Sequence, residues 1–400
     1  MKICMLAPEF LPVWGGVGTY IIELVRHLPK NIEIHVVTPL REGFGKQKVS
    51  TVDYDFNKYF GSNVHAHFVC KADDTFLYNA GFQYACLKYI PKLIKEYKID
   101  LIHSHTAHMP DLLLQFKRLK VPTVTTIHTT IRGQREGAKC SGVGFWGLDF
   151  SEKMTFLAYP FLQIAESIYF SGSRHYITVS KWMRRQIVRQ YPKINSRVIS
   201  VIYNSVDTRR FSPSKRYARR DIILFTGRLI AAKGIRYLIE AIPKVIHEHP
   251  DALFIFIGAG NPLPYLKRLK ELRVPERNFA FLGYIRDSND LVKYYRASSV
   301  YVAPSLYENL PIRVLEAMAC GVPVAASNVC AIPEAIDNWK NGVLIRPMAI
   351  KELSDAICCL LSDFNLRQRL GRNARRKVLE KFDWKVNAFR TAKIYEQCLS

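Results

Sequence analysis

The chain of 400 residues lacks an uninterrupted apolar run of about 18–20 residues, the length that a helix needs to cross a bilayer. The longest candidate, MTFLAYPFLQIAESIYF, is interrupted by Pro160 and Glu166. The first residues also lack the layout of a signal peptide, because a strand-like segment leads directly into Pro8 and Glu9. We therefore expect a cytoplasmic protein without a membrane span.

Paired cysteines are also missing. The nine cysteines form no C-x-x-C motif, and their number is odd. This usage predicts reduced thiols that lie mostly in the core, and it argues against structural zinc.

Acidic residues are scarce relative to basic ones. Lys and Arg number 58 and Asp and Glu number 34, which gives a net charge of +24. This excess attracts anions such as nucleic acid, acidic lipid or phosphorylated metabolites, although a solvated basic surface without a partner explains it equally well. No nucleic-acid recognition module is present, so we expect no nucleic-acid partner.

Strand-like and helix-like segments alternate through two series of about 200 residues, the pattern of doubly wound α/β domains with parallel sheets. The polar, basic stretch 206–220 interrupts the periodicity and is predicted to be a linker. We therefore predict one Rossmann-like domain over 1–205 and a second over 221–382. The helical segment 383–400 carries an apolar face that would dock Phe389 and Tyr395.

Two carboxylates lie eight positions apart in the otherwise apolar stretch SLYENLPIRVLEAMACGVPV. The pattern places Glu308 after a strand and Glu316 in the second turn of a helix, with Asn309 as the N-cap and Gly321 as the stop. Ligands bind at the carboxyl ends of strands in doubly wound sheets. The alternative is that Glu308 is a plain loop carboxylate and Glu316 pairs with Arg313, three positions earlier.

Cations and glycines follow other strands. In FTGRLIAAKG, Arg228 and Lys233 occupy a strand-to-helix loop and suit a diphosphate, unless they are simply solvated. In GGVG, Gly15 and Gly16 would let backbone N–H groups approach a phosphate, or would form a plain tight turn. The dinucleotide fingerprint fails, because Ile21 occupies its third glycine position.

Histidines cluster near one predicted strand end, with His103, His105 and His108 in IHSHTAH and His128 in TIHTT. Alternation places His103 and His105 on one strand face. Because no carboxylate or cysteine completes a metal site at the usual spacing, we expect no metal. A hydrogen bond to a substrate hydroxyl or phosphate is the preferred interpretation.

These motifs, taken in their order along nearly the whole chain, resemble retaining glycosyltransferases of family 4 (glycosyl transferases group 1). The pieces are GGVGTY, HSHTAH, VIYNSVDTRRFSP, TGRLIAAKG, FIGAG, FLGY, YENLPIRVLEAMACGVPV, IPEAIDNWKNGVL and the terminal FDW. The resemblance implies a GT-B fold, in which two Rossmann-like domains face each other across a cleft and the last helix crosses back to the N-terminal domain.

The resemblance also implies roles for individual residues. Glu308 would bind hydroxyls of the donor sugar, Glu316 the ribose, and Arg228 and Lys233 the leaving diphosphate, with His105 near the transferred sugar. The catalytic residues would thus be Glu308, His105, Arg228 and Lys233. The donor-binding residues would be Gly15, Gly16, Arg228, Lys233, Gly283, Tyr284, Glu308, Asn309, Leu310, Ile312 and Glu316.

The implied reaction moves a hexose-type sugar from a nucleotide-sugar donor, linked to UDP, GDP or ADP, to a hydroxyl of a sugar, sugar phosphate or lipid-linked acceptor. It would need no metal and no other cofactor. The family often has EGFG where this chain has ENLP. Because Pro311 cannot donate a hydrogen bond, contacts to the donor sugar would fall to the N–H groups of Asn309, Leu310 and Ile312. A nucleotide-sugar epimerase of the same fold is the alternative.

The acceptor side is predicted in the N-terminal half. The glycine-rich stretch 131–150 is predicted to be an irregular functional loop, and His128, Arg132 and Arg135 are the predicted acceptor-binding residues. The basic amphipathic segment QYACLKYIPKLIKEYK could contact anionic lipid at the inner face of the membrane, or could simply pack on its domain.

Overall fold

The computed structural model describes residues 1–11, 15–40, 43–44, 47–48, 56–71, 78–106, 109–117, 119–140, 144, 150–172, 174–214, 221–285 and 287–400. The strands are Lys2–Leu6 (β1), Glu33–Leu40 (β2), Gly43–Phe44 (β3), Gln47–Lys48 (β4), Val64–Lys71 (β5), Leu101–His105 (β6), Thr123–Ile127 (β7), His175–Thr178 (β8), Ile199–Val201 (β9), Ile222–Thr226 (β10), Leu253–Ile257 (β11), Phe279–Phe281 (β12), Val300–Ala303 (β13), Val324–Ser327 (β14) and Val343–Ile345 (β15).

The helices are Gly16–His27 (α1), Phe56–Phe60 (α2), Tyr78–Tyr97 (α3), Ile131–Lys139 (α4), Phe150–Leu157 (α5), Tyr159–Tyr169 (α6), Lys181–Gln190 (α7), Ile235–Glu248 (α8), Leu263–Glu271 (α9), Ser288–Ala297 (α10), Ile312–Ala319 (α11), Ile332–Ala335 (α12), Ile350–Ser362 (α13), Phe364–Lys381 (α14) and Trp384–Leu399 (α15).

The chain forms two compact units. The first comprises Met1–Gln134, Met154–Asn204 and Trp384–Ser400, and the second comprises Arg135–Lys153 and Ser205–Asp383. The sequence analysis placed 135–153 in the first domain, whereas the structure assigns this segment to the second unit. The predicted linker begins inside the second unit, because the N–H of Val206 donates to the carbonyl oxygen of Phe382 (2.9 Å). Its residues 215–220 lie outside the described ones.

The first unit is built on a parallel sheet in which the described strands follow the order β5-β2-β1-β6-β7-β8-β9. Its inner strands are buried on both faces, as expected of parallel strands covered by helices, although β6 (LIHSH) and β7 (TVTTI) also bury polar side chains. The chain winds from β1 toward β2 on one side and returns to β6 on the other. The strand order therefore reverses beside β1, which is where doubly wound sheets bind ligands.

Helix α15 docks on the first unit through aromatic and polar contacts. Trp384 is buried, and its ring centroid lies 5.1 Å from that of Tyr20 in an edge-to-face arrangement. The hydroxyl of Tyr395 is 2.6 Å from Nδ1 of His103 in β6. The predicted docking face is confirmed for Tyr395 but is wrong for Phe389, which is 54% exposed.

The second unit repeats the parallel design. Its described strands follow the order β12-β11-β10-β13-β14-β15, and the order reverses beside β10. Helices α8 and α13 bury their apolar faces in the core of this sheet, through residues such as Leu238, Ile242, Ile357 and Leu360. The predicted α/β class with two doubly wound parallel sheets is confirmed.

Helix α3, predicted as the basic amphipathic segment, uses its apolar face inside the first unit. Phe82, Cys86, Ile90 and Leu93 pack into one hydrophobic cluster with the sheet. Lysines line the exposed side, so only the basic face remains for a partner. Among the described residues, no helix is long and apolar enough to cross a bilayer.

We predict that acid weakens the first unit through His103. Burial lowers the pKa of His103 to about 3, from an ordinary value of 6.5. A neutral folded-state histidine stabilises the fold above pH 6.5, and this contribution is lost as the pH falls toward 3, by up to about 1.4 kcal/mol per pH unit. Urea unfolding from pH 7 to 4 should therefore show a shallower pH slope in His103→Gln than in the wild type. Equal slopes would contradict the assignment.

Candidate active site

Two of the residues predicted to bind a donor, Lys233 and Glu308, meet at the centre of the second sheet. Lys233 follows β10, Glu308 follows β13, and these two strands are hydrogen-bonded neighbours at the point where the strand order reverses. Nζ of Lys233 forms an ion pair with Oε1 of Glu308, although the two residues are 75 positions apart in sequence. Both side chains are partly accessible, at 25% and 14% exposure.

Gly234 allows the two loops to approach each other. Its φ is 68°, in the left-handed region, and a Cβ atom there would lie 1.9 Å from the carbonyl oxygen of Pro304. The N–H of Leu306 donates to the carbonyl oxygen of Ala232 (2.9 Å) and joins the same loops. Backbone contact, rather than the ion pair alone, therefore holds Lys233 beside Glu308.

Arg228, Gly283 and Tyr284 follow β10 and β12 and are exposed to solvent. The carbonyl oxygen of Gly283 accepts from the N–H of Gly258 (2.8 Å), which ties the turn after β12 to the end of β11. Tyr284 is 41% exposed. All three predicted donor-binding residues thus lie past the carboxyl ends of their strands, at the same edge as Lys233.

The turn between β13 and α11 differs from its predicted form. Helix α11 begins at Ile312 with Pro311 as the N-cap residue, so the prediction that Asn309 caps this helix is wrong. Leu310 adopts a φ of 107° and is buried, which is a strained conformation for a residue with a Cβ atom. The fixed φ of Pro311 moves the helix start past Asn309. Helix α11 ends at Ala319, and Gly321 has a φ of 73°, as the predicted stop requires.

Glu316 is buried and lies in a polar network within the second unit. Both of its carboxylate oxygens are 2.8 Å from Nη1 of Arg313, and the hydroxyl of Tyr295 donates to Oε2 (2.7 Å). The alternative considered from the sequence, an ion pair between Glu316 and Arg313, is therefore present. Burial, and then the charge of Glu316, raise the pKa of Tyr295 well above its ordinary value. The phenol therefore stays protonated and acts as the hydrogen-bond donor to the carboxylate. Tyr295 had no signal in the sequence that linked it to Glu316.

The glycine turn of the first unit holds a carboxylate. Gly15 is the N-cap residue of α1, and Gly16 is its first residue. Oε2 of Glu9 accepts from the N–H groups of Gly15 (2.8 Å) and Gly18 (3.2 Å). The amides at the start of α1 thus bind an anionic oxygen, the property for which a phosphate site was predicted.

The histidines of β6 are more buried than the sequence analysis expected. His103 and His105 share a strand face, as predicted, with ring centroids 4.7 Å apart. His103 hydrogen-bonds Tyr395 and Thr126, so its polar atoms are used inside the fold. His105 is buried, and its Nδ1 lies 3.1 Å from Nε2 of the half-buried His128. His108 lies outside the described residues.

The stretch predicted as an irregular loop over 131–150 begins with a helix. Residues Ile131–Lys139 form α4, which carries an exposed Arg132 and a partly buried Arg135. The prediction was wrong here because the two glycines of this segment, Gly133 and Gly137, are tolerated inside the helix. Gly137 packs against the side chain of Tyr307, where a Cβ atom would lie 3.1 Å from the tyrosine Cβ.

The two carboxylates of the candidate site stand apart from the possible metal-binding groups. Within the described part of the chain, neither Glu308 nor Glu316 belongs to a group of His, Cys, Asp and Glu side chains that lie close enough to share an ion. What the site does offer is a pair of cations, two carboxylates and the start of a helix at one sheet edge. This combination suits a ligand with both hydroxyls and negative charge.

Comparison with known proteins identifies the family. Residues 14–210 match the family model described as Glycosyltransferase Family 4, and residues 207–377 match Glycosyl transferases group 1. An uncharacterized glycosyltransferase of Methanocaldococcus jannaschii is 30% identical over 99% of this chain and 98% of its own length. The chain belongs to glycosyltransferase family 4.

Solved structures support the same fold for this family-4 glycosyltransferase. Sucrose-phosphate synthase from Thermosynechococcus elongatus matches with a TM-score of 0.77 at 19% identity, over 99% of this chain and 98% of that one. The crystal structure of Anabaena HepE in complex with UDP and glucose matches with a TM-score of 0.73 at 18% identity, over 99% and 100%. These structures show the GT-B fold, and membership of the family identifies the chain as a transferase.

We predict that Tyr295→Phe destabilises the second unit. The buried carboxylate of Glu316 would lose one donor and keep Arg313, so the free energy of unfolding should fall by about 1–3 kcal/mol. Arg313→Met should cost more, about 3–5 kcal/mol, because it leaves a buried charge without its cation. Urea unfolding measures both, with Tyr294→Phe on the same helix as the control. Equal stability of Tyr295→Phe and Tyr294→Phe would contradict this account.

Proposed function

We propose that this glycosyltransferase moves a hexose-type sugar from a nucleotide-sugar, linked to UDP, GDP or ADP, to a hydroxyl of its acceptor. Transfer retains the anomeric configuration and needs no metal. The observation that carries the proposal is the ion pair of Lys233 and Glu308 at the reversal point of the second sheet. The HepE complex, which contains UDP and glucose, supports a nucleotide-sugar as the donor class.

The cations would stabilise the leaving group. When the bond between C1 and the diphosphate oxygen breaks, negative charge grows on the diphosphate. Preorganised cations lower the free energy of that state. An ammonium has three N–H donors, so Lys233 can hold Glu308 and a phosphate oxygen together. The exposed guanidinium of Arg228 supplies a second cation at the same edge.

The carboxylates would bind hydroxyls. Oε1 of Glu308 contacts Lys233, and we assign the remaining lone pairs of this carboxylate to hydroxyls of the donor sugar. Glu316 is assigned to the ribose, with Arg313 and Tyr295 fixing its orientation. We assign the N–H groups of Asn309, Leu310 and Ile312 to the donor sugar and the turn at Gly283 and Tyr284 to the base.

Bond making and breaking balance on one face of the sugar. The acceptor oxygen forms its bond to C1 on the face from which the diphosphate departs, and the acceptor proton passes to a diphosphate oxygen. The charge that a metal would neutralise is assigned to Arg228 and Lys233. In the first unit, Gly15, Gly16 and His105 are assigned to the donor, and His128 and Arg132 to the acceptor. Arg135, with which the second unit begins, is also assigned to the acceptor.

An exposed apolar stripe favours a lipid-linked acceptor over a soluble sugar or sugar phosphate. Leu157, Phe161, Ile164 and Ile168 recur at helical spacing through the end of α5 and along α6, and each is 41–77% exposed. The end of α7 lies close to the end of α6: the ring centroids of Phe170 and Tyr191, the residues that follow these helices, are 4.6 Å apart in a tilted arrangement.

Charge near the stripe fits an anionic surface. Helix α7 exposes Lys181, Arg184, Arg185 and Arg189. Apolar side chains beside exposed cations are the combination that binds an anionic bilayer surface. The stripe on α6, rather than the buried face of α3, is therefore the proposed peripheral contact with a membrane.

Removal of the central ion pair tests the reaction. Glu308→Ala and Lys233→Met should each lower kcat/KM by about 100- to 1000-fold or more, because each removes charge or hydroxyl binding at the reacting centre. The surface variant Glu271→Ala, which loses an ion pair to Arg268 on the same unit, is the matched control and should keep full activity. Each variant is assayed with a panel of nucleotide-sugars, identified beforehand by thermal shift.

Three outcomes would contradict the proposal. Wild-type turnover in Glu308→Ala would remove this residue from the site. Conversion of the nucleotide-sugar to its epimer without any acceptor would show the alternative activity. Loss of the wild-type rate in excess EDTA would refute a metal-independent reaction.

Flotation with liposomes tests the lipid surface. The wild type should float with vesicles rich in phosphatidylglycerol, more strongly at low salt, since the basic component is screened by salt. Phe161→Ser combined with Ile164→Ser should reduce flotation several-fold. Leu263→Ser, an equally exposed leucine in the second unit, is the control and should float as the wild type does. Absence of flotation at every salt concentration would overturn the lipid proposal and favour a soluble acceptor.

A further inference from the structure

One face of the first sheet gathers three histidines and a glutamate at its outer edge. Glu33 and His35 are two positions apart in β2, so both side chains point to the same face. His65 in the edge strand β5 is the register partner of His35, and His67 follows two positions later on the same face. The cluster lies toward the amino ends of these strands, away from the carboxyl ends that form the candidate active site.

The spacing of these side chains matches that of metal ligands. Oε1 of Glu33 is 3.0 Å from Nε2 of His35 and 3.8 Å from Nε2 of His65. One ligand atom from each of the three residues lies within 4.8 Å of the others. Ligands at about 2.0–2.1 Å around a tetrahedral zinc ion are separated by about 3.3 Å, so small side-chain movements would complete the geometry.

We propose that Glu33, His35 and His65 bind a divalent transition-metal ion such as Zn²⁺, with a fourth position open to water. Two imidazoles and one carboxylate are a ligand set that zinc accepts with an open position. The side chains of His65 (46% exposed) and Glu33 (33% exposed) leave an entry path from solvent. The sequence analysis weighed a metal only at the histidines near His103 and expected none, and it did not consider this cluster. Glu33 and His35 are two positions apart, but His65 comes from another strand that pairs with theirs.

His67 and Tyr89 lie where partners of a metal ligand are usually found. Nδ1 of His35 is 3.0 Å from Nε2 of His67, and Nδ1 of His67 is 3.4 Å from the hydroxyl of Tyr89. When Nε2 of His35 binds the ion, its ring proton occupies Nδ1 and is donated to His67. His67 then carries its proton on Nδ1, facing Tyr89. Such a second hydrogen bond fixes the tautomer and the orientation of the ligating ring.

The surroundings hold the ring of His35 in place. His35 is fully buried, and the ring of Tyr97 lies 4.5 Å from it, centroid to centroid. A metal ion binds the neutral form of an imidazole through the lone pair of a ring nitrogen. A side chain that packing already fixes loses little conformational freedom when the ion binds.

One cation competes for the same carboxylate. Nζ of Lys2 lies 3.2 Å from Oε1 and 3.0 Å from Oε2 of Glu33. The Lys2 side chain is 38% exposed and can turn into solvent when an ion arrives. The bound ion would join the edge strand β5 to β2 and raise the stability of the first unit by linkage. This role is independent of the transfer reaction.

Metal titration of the untagged full-length chain tests the proposal. Isothermal titration with Zn²⁺, and the visible spectrum with Co²⁺, should show one ion bound per chain at this site and a raised Tm. His65→Ala and Glu33→Gln should each weaken binding at least tenfold, and His67→Gln about 10- to 100-fold, as loss of an orienting partner does. Circular dichroism checks that each variant folds.

Two further variants make the outcome decisive. Lys2→Met should tighten binding, because it removes the competing ammonium. If the ion were bound elsewhere on the surface, its affinity would be the same in Lys2→Met and in the wild type. His249→Ala removes a ligand from a second group, Glu248, His249 and Cys358 in the second unit, and should leave binding unchanged. Absence of binding in both the wild type and Lys2→Met, or binding that survives His65→Ala but not His249→Ala, would overturn the proposal.

Discussion

A carboxylate at the end of a central parallel strand costs free energy unless a cation or hydroxyl groups lie beside it. Glu308 meets this constraint through Lys233, which the neighbouring strand β10 delivers to the same edge. The close backbone approach of Gly234 to Pro304 fixes the two loops that carry the pair. The arrangement leaves charge and hydrogen-bonding capacity at the sheet edge, and this is the basis for assigning donor binding to the second unit.

The second carboxylate obeys the same constraint in a different way. Glu316 is buried, and Arg313 and Tyr295 already occupy most of its hydrogen-bonding capacity. An ion pair that is shielded from water is rigid, because breaking it leaves a charge without a partner. Glu316 is therefore held in one orientation. The partner of Glu308 is the partly exposed ammonium of Lys233, which can change its hydrogen-bonding partners more easily.

The first unit is also built on a doubly wound parallel sheet, but polar groups at comparable positions form contacts inside the fold. At the start of α1, the amides bind the carboxylate of Glu9. In the middle of β6, the two ring nitrogens of His103 form hydrogen bonds with the hydroxyls of Tyr395 and Thr126. In the sequence these groups resemble ligand-binding features, yet in the structure some of their donors and acceptors form hydrogen bonds within the first unit. The motif in the sequence does not distinguish the two uses, because both rest on the same hydrogen-bonding atoms.

The sequence by itself determined the class of fold, the two parallel sheets, and the placement of Glu308, Arg228 and Lys233 after strands, because apolar runs and turn residues are local signals. It failed at Asn309 and over 131–139, where the fixed φ of Pro311 and packing against Tyr307 override local preference. Only the tertiary structure decided that Lys233 meets Glu308, that Tyr295 donates to Glu316, and that histidines of β2 and β5 gather on one face. Each of these contacts joins residues 21 to 75 positions apart. Strand order and register, which no short segment encodes, bring such residues together.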